Sequence, residues 1–309
     1  MSVFPHSQVS ERRLTRRTSA AFLAPAALLV VTFLVVPFVW TLVISLTNLH
    51  LLGFGAGTMD FVGLANYARL LESDGWLSPG GFGWSLWVTV EFVIGSAIIG
   101  QVALGLALAW ALYGLRGPLR EIVLSLAIVA WILPDTVVAF AWLAFLNPDR
   151  GALNAAIAAL GLGRPDWQLD LALLAMILFN SWRGAAFSML LFSAALATIP
   201  PSFLEASTVA GASSWQKFRD IVLPLLRGYI VADLVLVILW TINTFTPFLL
   251  TGGGPMRRNE TLAIYTYRTA FSDPMLFGQG AAISVVVLML NLLLGLAFLG
   301  YVQRNRVSL

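Results

Sequence analysis

The sequence predicts an all-α polytopic membrane protein with six transmembrane helices, and three observations predict it. The chain has 309 residues, 59% of them hydrophobic and 11% charged, at a mean hydropathy of +0.87. Soluble domains carry about 25% charged residues, so too little polar surface exists here to cover a soluble globule of this size. Six apolar stretches approach or exceed the roughly 20 residues that span a bilayer. Between the fourth and fifth lies a polar segment, residues 200–226, that carries helix-capping residues.

Charge and composition exclude several functions. The pI is 9.6, but the net charge is only +3 and the basic residues are scattered or flank the spans, so no nucleic-acid partner is expected. With no cysteine, disulfides, thiol catalysis and Cys-based metal sites are excluded. The two histidines, His6 and His50, lie far apart, so no metal site is expected.

The first span, Ala20–Leu46, follows Arg12, Arg13, Arg16 and Arg17. Its length of about 27 residues exceeds the 7–15 of a signal-peptide core, so it reads as a retained helix. The others are Trp84–Tyr113, Glu121–Leu146, Leu171–Ile199, Tyr229–Leu250 and Met275–Val302. The implied organisation is a cytoplasmic tail at 1–19, a transmembrane domain at 20–302 and a second cytoplasmic tail at 303–309. Six spans place both termini on one side. Eleven basic residues fall in the loops on that side and six on the other, so the positive-inside rule puts both termini and the 200–226 segment in the cytoplasm. The last outer loop, with Arg257, Arg258 and Arg268, runs against the rule.

Proline within a helix removes a backbone donor and bends the chain. Pro25 and Pro37 fall in the first span, Pro134 in the third and Pro247 in the fifth, either as packing kinks or as walls bent around a path. Ionisable residues inside spans are costly, at roughly 2.5–3.5 kcal/mol on insertion scales. Asp135 and Arg183 are expected near the middle of the third and fourth spans, with Asn180 one turn before Arg183 on the same face. They either pair with each other or line a watery cavity. Glu91 and Asp233 are expected nearer span ends, within reach of water or headgroups. Trp182 and Trp240 fall near span centres, away from the usual interfacial belt. Trp240 precedes Asn243 on one helix face, and a ring beside an amide suits a sugar contact.

No phosphate-binding G-x-x-x-x-G-K-[ST] motif occurs, and Lys217 is the only lysine. No metalloprotease or nucleophile-elbow motif occurs either. The polar segment is more specific. Ser202 with Glu205, and Ser213 with Gln216, have the capping-box spacing of two short helices. Gly211 lies between them, where the chain reverses, and Pro224 marks the far end. Two short helices held out from a membrane domain suit a groove on another protein.

These residues carry a resemblance. Glu205-Ala206-Ser207, then Gly211, then Ile221 to Pro224, resembles the EAA loop of permease subunits in binding-protein-dependent ABC importers. Phe61 to Tyr67, Leu250 to Pro255 with Thr261 and Tyr265 to Phe271, and Gly278 to Ser284 are similar to the carbohydrate-uptake branch, which includes maltose and glycerol-3-phosphate permeases. Two positions depart from the pattern. Ser207 replaces the second alanine, and Ala210 stands where an acid often precedes the glycine. The resemblance implies a second permease subunit, two cytoplasmic ATPase subunits, an extracytoplasmic solute-binding protein and surrounding lipid. It implies no cofactor in this chain, ATP and Mg belonging to the ATPase, and no catalysis by the chain itself. Glu205, Ala206, Ser207, Gly211 and Pro224 would form the ATPase coupling loop. Asp135, Asn180, Arg183, Trp240 and Asn243 are the candidate pathway residues. The alternative is a proton-coupled secondary transporter using Asp135 and Arg183 as relay groups.

Overall fold

In the computed structural model, residues 16–72 and 75–305 are described. Among the described residues, five helices are long and apolar enough to cross a membrane: Ala20–Ser45, Phe82–Tyr113, Ala172–Leu196, Ser214–Asn243 and Phe277–Arg304. Pro118–Ile132 and Asp135–Phe145 form a sixth, bent by 106° at the break between them. Of the two expected tails, residues 1–15 and 306–309 lie outside the described residues. Helix already runs from Arg16 and continues to Asn305.

The third span is broken rather than kinked. Leu133 and Pro134 both take extended backbone, with ψ of 136° and 134°. The ring of Pro134 disfavours helical geometry in the residue before it, and two successive extended residues turn the chain. Asp135 therefore opens a half-helix instead of sitting mid-helix. The fifth span also differs from expectation. It ends at Asn243, where Thr244 becomes extended, and Pro247 opens a separate short helix, Pro247–Thr251. At its other end the helix starts at Ser214, well before Tyr229, because polar residues such as Arg219, Asp220 and Arg227 continue it into water.

Two prolines share one local solution. Pro37 follows a π-helical turn at Val31–Val35, and Pro224 follows one at Phe218–Val222. A proline ring clashes with the carbonyl four residues earlier, and a widened turn makes room for it. Pro224 thus lies inside a continuous helix and does not end the 200–226 segment as expected.

The core lies among the second, fourth and fifth spans, where Val102, Leu106, Met189, Phe192, Leu226 and Val237 are buried together. The second and fourth spans approach closely. A Cβ on Gly105 would stand 2.6 Å from the Ser188 Cβ and 2.9 Å from the Met189 backbone nitrogen. Asp233 is also here, 0% exposed, which corrects the expected interfacial placement. Its helix continues for ten more residues, so its depth is set by packing on the fourth span rather than by the apolar run. Glu91 is partly buried and accepts a 2.8 Å bond from Trp87 Nε1.

The loops that follow the first and fifth spans are tied down by side chains. Buried Asn66 donates to the carbonyls of Ser45 and Thr47, at 2.9 and 2.7 Å, satisfying carbonyls left free at the end of the first span. Glu260 is 0% exposed and holds two guanidinium groups, Arg268 at 2.6 Å and Arg257 at 3.0 Å.

Candidate functional site

The polar segment folds into one short helix, Pro201–Val209, a turn, and the start of the long fifth helix. Gly211 takes φ of +80°, a left-handed backbone that favours glycine, and its N–H donates to Thr208. The second capping box is present. Ser213 Oγ accepts from the Gln216 N–H at 3.3 Å, and Gln216 Oε1 accepts from the Ser213 N–H at 2.7 Å. The first is not. The helix begins at Pro201 with Pro200 as its N-cap, and no side chain caps it. Proline at the first helical position needs no partner for a missing N–H, so Ser202 sits inside the first turn.

Glu205 therefore has no capping role. It is exposed, with no partner among the described residues. The same segment leaves large apolar side chains open to solvent, Phe203 at 53% and Val209 at 91% on the helix of Glu205 and Trp215 at 64% beyond the turn. Ala206 is exposed and Ser207 half-buried, its Oγ donating to the Leu204 carbonyl at 2.8 Å. Ala210 offers no polar contact. Instead Lys217 Nζ closes the turn by donating to Thr208 Oγ1 at 2.9 Å.

Asp135 and Arg183 form an ion pair. Thr246 Oγ1 donates to the second Asp135 oxygen at 2.9 Å, so two broken elements, Asp135–Phe145 and Pro247–Thr251, meet at this carboxylate. The guanidinium carbon lies 5.5 Å from the Trp131 ring centre, within cation–π range. Trp131, Phe187 and Trp240 form one aromatic cluster, with Trp131–Trp240 at 5.5 Å and Phe187–Trp240 at 5.0 Å. The pair is not sealed, since the two side chains are 23% and 42% exposed for arginine and aspartate.

The other candidates divide. Trp240 joins the ion-pair cluster. Asn180 turns towards the second span and donates to Ser96 Oγ at 2.9 Å and to Thr241 Oγ1 at 3.4 Å. It acts as a helix–helix contact beside the ion pair, not as part of it. Asn243 lies elsewhere, bonded to the Leu239 carbonyl and to Asn291 of the last span. Sequence reasoning missed Thr246, Trp131, Phe187 and Asn291. Thr246 and Asn291 carry no signal until the breaks and crossings are known, whereas Trp131 one turn before Asp135 was readable.

A family model described as the binding-protein-dependent transport system inner membrane component matches residues 101–307. Similar proteins include the inner membrane ABC transporter permease protein YcjO of Escherichia coli (strain K12), 32% identical over 86% of this chain and 87% of that one. The sulfoquinovosyl glycerol transport system permease protein SmoG of Agrobacterium fabrum is 31% identical over 96% of this chain and 97% of its own. The trehalose/maltose transport system permease protein MalF of Thermococcus litoralis is 30% identical, covering 89% and 90%. The fold matches a solved bacterial ABC transporter involved in the import of the acidic polysaccharide alginate, with a TM-score of 0.76 at 20% identity over 93% of this chain and 95% of that chain. By its family match, its membrane helices and its relatives, the chain belongs to the binding-protein-dependent transport system inner membrane components, the multi-pass permease subunits of ABC importers.

Proposed function

We propose that this permease carries a sugar or sugar-like solute and couples to a cytoplasmic ATPase through residues 200–226. The observation that carries the coupling half is the unpaired Glu205 among exposed Phe203, Val209 and Trp215. A charge with no internal partner, on a segment that also exposes large apolar side chains, is what a docking surface presents to a groove. The sugar class is supported by relatives named for trehalose/maltose and sulfoquinovosyl glycerol transport. The aromatic cluster at Asp135 and Arg183 suits stacking and hydrogen bonding to such a solute.

The partners follow from this reading. A second permease subunit completes the pathway, two ATPase subunits bind and hydrolyse ATP with Mg, and an extracytoplasmic binding protein delivers solute. A related alginate transporter has been solved with its substrate-bound periplasmic protein. The chain itself is non-catalytic, with residues 20–302 as the membrane domain between two cytoplasmic tails. Both termini face the cytoplasm. Two of the three outer arginines that run against the positive-inside rule are held by buried Glu260, so they serve the fold and carry little weight in orientation.

Two measurements test this. Uptake should stop when ATP is depleted with the proton gradient intact, and uptake that persists would contradict the ATP-driven reading. Met256 is 81% exposed, so a cysteine placed there should react with an impermeant thiol reagent in intact cells. Reaction only after permeabilisation would reverse the orientation.

A further inference from the structure

Away from the Asp135–Arg183 cluster, a second group of aromatic and polar side chains stands unassigned. Four ring contacts run in sequence. Phe248 stacks on Phe245 at 4.9 Å, Phe245 meets Tyr267 at 4.7 Å, Tyr267 meets Phe271 at 5.4 Å, and Phe271 meets Phe277 at 5.3 Å. The row passes from the break after the fifth span, along the helix Leu262–Phe271, to the start of the last span. It is open on one side, with Tyr267 40% and Phe271 53% exposed.

At Phe245 the row meets a pocket of about 310 Å³, lined by Asn243, Phe245, Thr266, Ser284 and Asn291 together with four aliphatic side chains. That volume is at the small end for ligand sites, about the size for one small ring. Asn291 lies mid-way along the last span, Phe277–Arg304. It donates to Asn243 Oδ1 at 3.3 Å, while its own Oδ1 is buried without a hydrogen-bond partner. Thr266 and Ser284 hydroxyls donate to their own helices, leaving oxygen lone pairs as acceptors. Two amides and two hydroxyls meet here, Asn291 at mid-span and the others nearer helix ends, and a polar group at that depth beside an open groove is not suited to lipid.

We propose that this row and pocket form a second sugar-binding subsite, an aromatic lane that leads a pyranose ring from the outer face to the Asn243–Asn291 amides. Ring faces of sugars are apolar and stack on aromatic side chains, while their hydroxyls donate to amide oxygens of the kind Asn291 leaves free. The lane is separate from the Trp131, Phe187 and Trp240 cluster, with which it shares no ring contact among the described residues. The proposal rests on the sugar-uptake reading above.

The test uses cells carrying the complete transporter. Uptake of maltose, trehalose and sulfoquinovosyl glycerol is measured first. If the unaltered transporter takes up none of them, the sugar-class reading has failed and this proposal falls with it. If one enters, Asn291→Cys and Ser284→Cys are each treated from outside with sulfonatoethyl methanethiosulfonate; the chain has no native cysteine. Both positions should react, and the transported sugar at ten times its half-saturating concentration should slow the reaction about tenfold. Met289→Cys, on another face of the same helix, should stay unreactive. Phe271→Ala should lower uptake about fivefold at low sugar concentration with normal amounts of assembled complex, and Phe271→Tyr should restore it. With sugar uptake intact, silence at both pocket cysteines would mean that lipid or the second permease covers the pocket and would overturn the proposal. Reaction that the sugar leaves unchanged would overturn it equally.

Discussion

Segment 200–226 and the membrane spans with the loop that carries Glu260 treat charge in opposite ways. In the spans and that loop, the ionisable side chains that leave water find partners. Asp135 pairs with Arg183 and accepts from Thr246, and Glu260 binds two arginines. Asp233 is the exception, buried with neither carboxylate oxygen in a clear hydrogen bond. In segment 200–226 Glu205 stays unpaired, and Val209 and Trp215 of the same segment are exposed. A paired charge is part of the fold, whereas an unpaired one beside exposed apolar surface is left for another molecule. The two regions should therefore respond differently to substitution, the first in stability and the second in coupling.

The largest loss of stability is expected at Glu260. Glu260→Gln breaks two ion pairs around a fully buried carboxylate, and breaking such a pair costs about 3–5 kcal/mol. Folded yield and thermal midpoint of the purified complex would report it. A midpoint equal to wild type would show that the Glu260 clamp is not structural.

A smaller loss is expected at the membrane pair. Asp135 and Arg183 are partly exposed, so Asp135→Asn or Arg183→Gln should each cost about 1–2 kcal/mol after discounting for solvent. The double mutant should regain much of the folded yield. If uptake stays lost in that double mutant, the pair serves the pathway as well as the fold. Additive losses in yield would instead show that the two charges do not depend on each other.

The smallest effect separates the two halves of segment 200–226. Ser213→Ala removes an observed cap and should cost about 1 kcal/mol, whereas Ser202→Ala removes none and should stay within about 0.5 kcal/mol. Equal effects would mean that the first helix is capped by Ser202 after all.

Much of this contrast was legible in the residues. Composition gave the spans, Gly211 marked a turn that uses left-handed backbone, and the Ser213–Gln216 spacing marked a real capping box. The Ser202–Glu205 spacing was the same signal with a different outcome, because Pro200 takes the N-cap place and the helix opens two residues earlier, at Pro201. Pro134 and Pro224 show the same limit. One breaks its helix by 106° and the other is absorbed by a π-helical turn, a difference set by packing rather than by the proline. Asp135 and Arg183 could be matched by depth alone, but Asn180 faces Ser96 and Thr241 because the helix rotation is fixed by the close glycine contacts of the second and fourth spans. Glu260 and Asn291 were unreadable, since their partners come from a folded loop and a helix crossing.

The coupling role is tested most directly by co-purification of the assembled permease with its ATPase, together with solute-stimulated ATP hydrolysis, for Glu205→Ala and Val209→Asp. Both variants should insert and fold like wild type, because neither side chain has an internal partner. Both should lose ATPase binding or lose the stimulation of hydrolysis by the loaded binding protein. Wild-type binding and wild-type stimulation in both variants would contradict the assignment of residues 200–226 as the surface that couples this permease to its ATPase.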